Sequence, residues 1–244
     1  MSKQRLDVML VERGLAETRE KAQRLILAGA VRVNGQVADK AGRPCPDDAL
    51  LEVTASDKFV SRGGGKLDAA FESFHLDVNA KVCADIGAST GGFTDCLLQH
   101  GASRVYAVDV GKGQLDWRLR NDPRVVVKEE LNARYLSERD IPEPFQFAVI
   151  DVSFISLTLI LPPVTKLLEL GGQIVSLIKP QFEAGRENVG KGGVVRDTAV
   201  HEAVVERVHQ FGTHVLPLEW LGLCESPLRG PAGNIEFLAW WRKL

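Results

Sequence analysis

Four charged residues stand where apolar runs of the sequence stop. Asp85 follows Val82-Cys83-Ala84, Asp109 follows Val105-Tyr106-Ala107-Val108, Asp151 follows Val149-Ile150, and Lys179 follows Val175-Ser176-Leu177-Ile178. A charge that closes a buried run is pinned at the mouth of a sheet. A lysine there can act as general base once burial and neighbouring cations lower its pKa from the usual value of about 10.4. Lys179, with Pro180 behind it, is the candidate base, and Asp151 accepts its proton or orients its amine. Such a pair suits deprotonation of a hydroxyl, a poor nucleophile at neutral pH, as it attacks an electrophilic carbon.

The first of these runs leads into Asp85-Ile86-Gly87-Ala88-Ser89-Thr90-Gly91-Gly92-Phe93, followed by a helical stretch over Thr94 to His100. A dinucleotide fingerprint would read Gly-x-Gly-x-x-Gly and present a helix N-terminus to a pyrophosphate. Here an acid precedes the turn, which suits a cationic ligand. S-adenosylmethionine carries an amino group and a sulfonium, and Asp85 would act on that end directly or through water. Asp109 closes the next run at the interval where an acid commonly accepts hydrogen bonds from ribose hydroxyls. Asn132, after the third run, is a candidate for the adenine. The cofactor set read this way is Asp85, Gly87, Ser89, Gly91, Gly92, Phe93, Asp109, Asn132 and Asp151. Capping or turn formation is the alternative role for the two acids. It fits less well with two of them at successive strand ends flanking a glycine loop.

The elements that must position these groups follow from periodicity. Apolar runs at 81–86, 104–109, 124–127, 147–152 and 173–179 alternate with helical segments, the pattern of a parallel sheet covered by helices on both faces. Ligands bind beyond the carboxyl ends of such strands, so the four charged residues are expected to converge. Ahead of this lies a smaller unit: a helix over Gln4 to Arg13 stopped by Gly14, a second from an N-cap at Thr18 over Arg19 to Ala28 stopped by Gly29, and a hairpin around Asn34-Gly35. Arg5, Arg19, Lys21, Arg24 and Arg32, with Lys3, form a basic cluster suited to RNA phosphates. Asp7, Glu17 and Glu20 interleave, so charge alone leaves an ordinary solvated face equally open. Asp57 to Gly65 reads as a junction, with Gly63-Gly64-Gly65 too permissive for the interior of any element.

Composition narrows the class. The 244 residues are 45% hydrophobic with a net charge of −2, which speaks against polyanion binding over the whole surface. The greasiest run, Phe154 to Leu161, meets Pro162 and Pro163 well short of the roughly 20 residues a membrane span needs. The first residues lack the apolar core of a signal peptide, and a cytoplasmic location is expected. Cys45, Cys83, Cys96 and Cys224 form no Cys-x-x-Cys pair and the five histidines show no ligand spacing, so no metal is expected.

Arg5-Leu6-Asp7, Thr18-Arg19-Glu20-Lys21-Ala22 with Ile26 and Gly29, and Val31-Arg32-Val33-Asn34-Gly35 together resemble the RNA-binding module of small-subunit ribosomal protein four. That resemblance implies recognition of structured RNA by shape and phosphates. Lys66, Asp151, Lys179 and Glu236 match, in order and context, the Lys-Asp-Lys-Glu tetrad of ribose 2′-O-methyltransferases related to FtsJ. With Phe59-Val60-Ser61-Arg62-Gly63, Asp151 to Leu157, Lys179-Pro180-Gln181-Phe182-Glu183 and Ser226-Pro227 to Glu236, the chain resembles the TlyA (haemolysin A) family. Where some members carry Arg-Ala-Trp-Val before the Ser-Arg-Gly segment, this chain has Asp57-Lys58-Phe59-Val60.

The resemblance implies an α/β, Rossmann-like class I methyltransferase domain with a mostly parallel seven-stranded sheet at 66–244, a linker at 59–65 and a small α+β RNA-binding domain at 1–58. It implies Lys66, Asp151, Lys179 and Glu236 as catalytic residues, S-adenosylmethionine as cofactor, and cytidine 2′-O-methylation of ribosomal RNA or ribosomal subunits; no protein partner is inferable. Arg186, Lys191 and Arg196, in the glycine-rich stretch from Glu183 to Asp197, either contact RNA phosphates or belong to an ordinary surface loop. A non-catalytic ribosome-assembly factor is the nearer rival, against which the intact tetrad argues. A membrane-active haemolysin is the more distant one, unsupported by any spanning segment or strongly amphipathic cationic helix.

Overall fold

The computed structural model describes residues 3–27, 29–53 and 58–244, and the chain divides into two units, Met1–Lys58 and Phe59–Leu244. In the first, β1 (Lys3–Arg5) pairs antiparallel with β4 (Pro44–Pro46), taking Gln4 and Arg5 out of the expected first helix. That helix, α1, therefore runs only Leu6–Glu12. Thr18 Oγ1 accepts from the backbone N–H of Lys21 at 3.2 Å and starts α2 (Arg19–Leu27) as an N-cap should. Asn34 (φ 52°) and Gly35 (φ 78°) both take left-handed backbone, the conformation of a tight turn matched to strand twist, and join β2 (Val31–Val33) to β3 (Gln36–Val37). A third strand, β5 (Leu51–Val53), pairs on the other side of β2. Leu6, Met9, Leu10, Ala22, Ile26, Val31 and Val33 form the core of this unit. Ala28, the expected end of α2, Asp57, at the start of the expected junction, and the side chain of Lys3 lie outside the described residues.

Asp7 is completely buried in this unit. Its carboxylate accepts from Arg5 at 2.9 and 3.0 Å, Arg19 at 3.0 Å and Gln23 at 2.8 Å, which holds it far below the usual carboxylate range against the opposing effect of burial.

The second unit is built on seven strands ordered β11-β12-β10-β9-β6-β7-β8. These are β6 (Val82–Ile86), β7 (Arg104–Val108), β8 (Val125–Lys128), β9 (Phe145–Ile150), β10 (Leu168–Ile178), β11 (Leu218–Glu225) and β12 (Phe237–Lys243). All are parallel except β12, which inserts antiparallel between β10 and β11. Side chains alternate across the sheet: Ala148 and Ile150 of β9 pack with α6 (Leu157–Leu167) and α8 (Thr198–His214), while Phe147 and Val149 pack with α3 (Gly63–Phe74), α4 (Gly92–Gln99) and α5 (Trp117–Arg120). A last short helix, α7 (Pro180–Glu183), follows β10. This is a Rossmann-like α/β fold with one reversed strand.

The 59–65 segment differs from its expected role as a linker. Phe59 is buried, and Gly63, Gly64 and Gly65 form the first turn of α3. Close approach is the physical reason. A Cβ on Gly64 would overlap the Phe59 ring, and one on Gly92 would meet Ser61 Oγ and Gly64 N, so the glycines let the N-termini of α3 and α4 touch. Among the described residues no helix is long and apolar enough to cross a membrane.

Because the Asp7 pKa is depressed by folding, its stabilisation is present above the ordinary carboxylate range and lost as pH falls. Asp7→Asn should weaken the front unit by on the order of 1 kcal/mol at pH 7. Amide exchange of α1 and α2 should show the gap from wild type closing below about pH 4, where the unfolded carboxyl is protonated.

Candidate active site

The strand order reverses between β6 and β9, and the loops leaving β6, β7, β9 and β10 surround two adjoining cavities. The first encloses about 440 Å³, within the roughly 300–1,000 Å³ usual for small-ligand sites. Gly87, Ser89, Asp109, Asn132 and Asp151 line it, with Val108, Leu131, Ile155 and Ile160 as apolar walls. Gly87 has φ 89°, and a Cβ there would strike the Asp151 carbonyl, so only glycine lets the loop lie against the end of β9. Asp109 accepts from the backbone N–H of Ser89 at 2.8 Å and of Gly111 at 2.7 Å, and each carboxylate oxygen keeps a further lone pair. Asn132 Oδ1 accepts from Arg134 N at 3.0 Å, capping a 3-10 turn over Ala133–Tyr135.

Asp85 and Gly91 line neither cavity. Asp85 lies beneath the loop, completely buried, where Thr94 Oγ1 donates to its Oδ2 at 2.6 Å and its Oδ1 has no hydrogen-bond partner. Burial first, then the charges of Asp151 and Asp109, push its carboxyl up to about 7 against the Thr94 hydrogen bonds. Gly91 (φ 95°) supports the loop from below, seated on Leu115 and Leu119.

The second cavity, about 320 Å³, is lined by Lys66, Asp151, Ser153, Lys179 and Glu236 together with Gly92 and Phe93 of the glycine loop. Lys66 Nζ pairs with Glu236 Oε2 at 2.6 Å, and Lys179 Nζ with Asp151 Oδ1 at 2.5 Å. Lys66 comes from the first turns of α3 and Glu236 from the residue before β12, 170 positions away. The two cavities share Gly87, Ser89, Asp151 and Ser153, so Asp151, the partner of Lys179, stands on the wall between them, while Lys66 and Glu236 line the second alone. Arrangement and chemistry agree: a buried amine beside a carboxylate can take a proton and hand it on.

Three contributors escaped sequence reasoning. Ser153 Oγ accepts from Lys179 Nζ at 3.1 Å, and Gln181 Nε2 donates to Glu236 Oε1 at 3.2 Å. Gly230 is the third, since a Cβ there would lie 2.6 Å from Glu236 Oε1. Both polar residues sit two positions beyond a tetrad member, in Asp151-Val152-Ser153 and Lys179-Pro180-Gln181, and that spacing was the available signal.

In the front unit Lys21, Arg24 and Arg32 are exposed, and Arg32 donates to the Gly35 carbonyl at 2.9 Å. Arg5 and Arg19 are tied to Asp7 while half of each side chain still meets solvent. Arg186, Lys191 and Arg196 are exposed in the second unit. Asp68, Cys96 and His100 bring their ligand atoms within 4.8 Å of one another. Their geometry reads as a clasp between α3 and α4, because His100 Nε2 already meets Asp68 Oδ1 at 3.0 Å while its ring stacks on Phe71 at 3.9 Å.

A family model described as FtsJ-like methyltransferase matches residues 59–243, and one described as S4 domain matches residues 4–49. The chain is 53% identical over 238 residues to YqxC of Bacillus subtilis, named as a proposed rRNA methyltransferase, covering 97% of this chain and 84% of that protein. It is 47% identical over 244 residues to the 16S/23S rRNA (cytidine-2′-O)-methyltransferase TlyA of Mycobacterium tuberculosis, covering 98% and 89%. A solved structure from Streptococcus thermophilus, described as a proposed hemolysin, superposes with a TM-score of 0.76 at 49% identity, covering 100% of this chain and 89% of that one.

A carboxyl whose pKa is raised by folding favours the fold below its ordinary pKa, and that contribution is lost as pH rises through about 7. Asp85→Asn should therefore raise the Tm of the ligand-free protein at pH 8.5 by at least about 4 °C, taking about 2–4 °C per kcal/mol for a domain of this size. The difference should shrink toward pH 4. A lower Tm for the variant at pH 8.5 would contradict the assigned burial.

Proposed function

Because this chain belongs to the TlyA family of ribosomal RNA 2′-O-methyltransferases, we propose that it methylates the ribose 2′-hydroxyl of a cytidine in ribosomal RNA, with Lys179 removing the hydroxyl proton. The observation that carries this reading is the pair of buried lysine–carboxylate contacts on one cavity that opens into an acid-lined glycine-loop cavity.

S-adenosylmethionine, when bound, supplies a methyl carbon made electrophilic by its sulfonium. The first cavity fits it: the size suits a nucleoside, Asp109 and Asn132 would hold the ribose and base, and Gly87, Ser89 and Asp151 would hold the charged end. The Asp85 carboxyl beneath the loop, its Oδ1 unpartnered, adds negative potential there once ionised, which a bound cation favours. Lys179 Nζ, against Asp151 Oδ1 and Ser153 Oγ, stands at the junction of the cavities and receives the proton of a hydroxyl placed in the second one. Asp151 then holds the resulting ammonium. Lys66, fixed by Glu236 and through it by Gln181, presents a second cation that steadies developing negative charge on the ribose oxygen.

Phe154 lies on the wall of the first cavity, 90% exposed, with a left-handed φ of 64° that a bulky residue rarely takes. Its ring meets Phe182 at 4.9 Å and leaves an aromatic face for a splayed base to stack on. Lys21, Arg24 and Arg32, with the free portions of Arg5 and Arg19, supply phosphate contacts from the front unit. A ribosomal RNA substrate puts the site of action in the cytoplasm.

Tritium from labelled S-adenosylmethionine should enter purified ribosomal subunits or ribosomal RNA with wild-type protein, and Lys179→Ala should slow transfer by about 10²–10⁴. An unlabelled product from every such RNA would reject this reading. Phe154→Ala should weaken RNA binding by about 1–3 kcal/mol, measured by titration with S-adenosylmethionine at saturation.

A further inference from the structure

Glu183 is buried, with 5% of its surface exposed, and the proposed chemistry gives it no task. Its Oε1 accepts from the backbone N–H of Leu157 at 2.7 Å, and its Oε2 accepts from Ser156 Oγ at 2.7 Å. Ser156 is the N-cap of α6, so the carboxylate lies over the positive end of an 11-residue helix. Arg207 of α8 lies 3.6 Å from Oε2 and also donates to the Glu183 carbonyl.

These contacts have a consequence for the reacting groups. The segment from Asp151 to Leu157 leaves β9, and the turn from Lys179 to Glu183 leaves its parallel neighbour β10. They touch at three levels: Lys179 on Asp151 and Ser153, Phe182 on Phe154 at 4.9 Å, and Glu183 on Ser156 and Leu157. The outermost level closes the zipper, and in it a buried carboxylate accepts from two defined donors.

On the functional reading above, we infer that Glu183 is a positioning residue, fixing the Asp151–Ser156 segment against the Lys179 turn so that Asp151 and Lys179 meet in register. It touches no reacting atom. A displacement of about 1 Å at such a pair costs up to roughly 100-fold in rate, more than the loss of any one binding contact made by the same segment.

The test uses full-length Glu183→Ala, Glu183→Gln and Ser156→Ala with ribosomal RNA and S-adenosylmethionine. Glutamine keeps an acceptor for the Leu157 N–H, whereas alanine keeps none. Glu183→Ala should lower kcat by about 10- to 100-fold, with any rise in either KM smaller than the fall in kcat. Glu183→Gln should recover most of that loss, Ser156→Ala should show a smaller loss in kcat alone, and exchange of the Leu157 amide should quicken in Glu183→Ala. Should Glu183→Ala fail to fold, Ser156→Ala and Glu183→Gln decide the matter by the same split between kcat and KM. Wild-type kcat in Glu183→Ala, or in Ser156→Ala where the alanine variant does not fold, would overturn the inference. So would a rise in KM without a fall in kcat, or equal loss in the alanine and glutamine variants. An inactive wild type would instead sink the methyltransferase reading on which this rests.

Discussion

Two lysine side chains buried at the end of a sheet dominate what the rest of the chain must do. Removing a charge from water costs several kcal/mol after relaxation, and only a well-placed opposite charge offsets it. Lys66 and Lys179, each 8% exposed, meet that requirement through Glu236 and Asp151. Parallel pairing of β9 with β10 brings the second pair together, in a register that sets Ile150 beside Ser176. The first pair needs two less ordinary devices. The antiparallel insertion of β12 delivers Glu236 to the mouth of the sheet, and the glycine turn of α3 lets Lys66 approach from the opposite helical layer.

How far this was legible in the sequence depended on the range of the forces involved. Strand ends bearing Asp85, Asp109, Asp151 and Lys179 could be read because burial imposes an apolar run and the following charge marks where it ends. The hairpin at Asn34-Gly35 was equally local. Lys66 and Glu236 had no such mark, since each looks ordinary among its neighbours and their pairing spans 170 positions. Only the family resemblance pointed to them. Strands β11 and β12 enter the expectation only as the two further members of the seven-stranded sheet that the resemblance implies, because the β11 run Leu-Glu-Trp-Leu-Gly-Leu-Cys-Glu breaks alternation where its pairing shifts between Trp220 and Gly222.

Two misreadings have a common origin. By composition Gly63-Gly64-Gly65 reads as part of a junction, and Asp7 as an acid diluting a basic face. Both are packing requirements that resemble solvent-facing features when only composition is visible. The glycines make room for Phe59 and for α4, and Asp7 gathers Arg5, Arg19 and Gln23 around one buried carboxylate. The basic surface of the front unit is thereby pre-organised: two of its arginines are held at a fixed point while their outer portions stay wet, which limits the rotamer entropy lost when they meet an anion.

The waist between the two cavities, formed by Gly87, Ser89, Asp151 and Ser153, has a bearing on inhibition. A single molecule spanning it would occupy both compartments, each half raising the effective concentration of the other. Escape by mutation would be constrained at the same place. Gly87 admits no side chain without displacing the end of β9, and Asp151 and Ser153 hold the amine of Lys179, so a change that repelled such a compound would also damage the enzyme it protected.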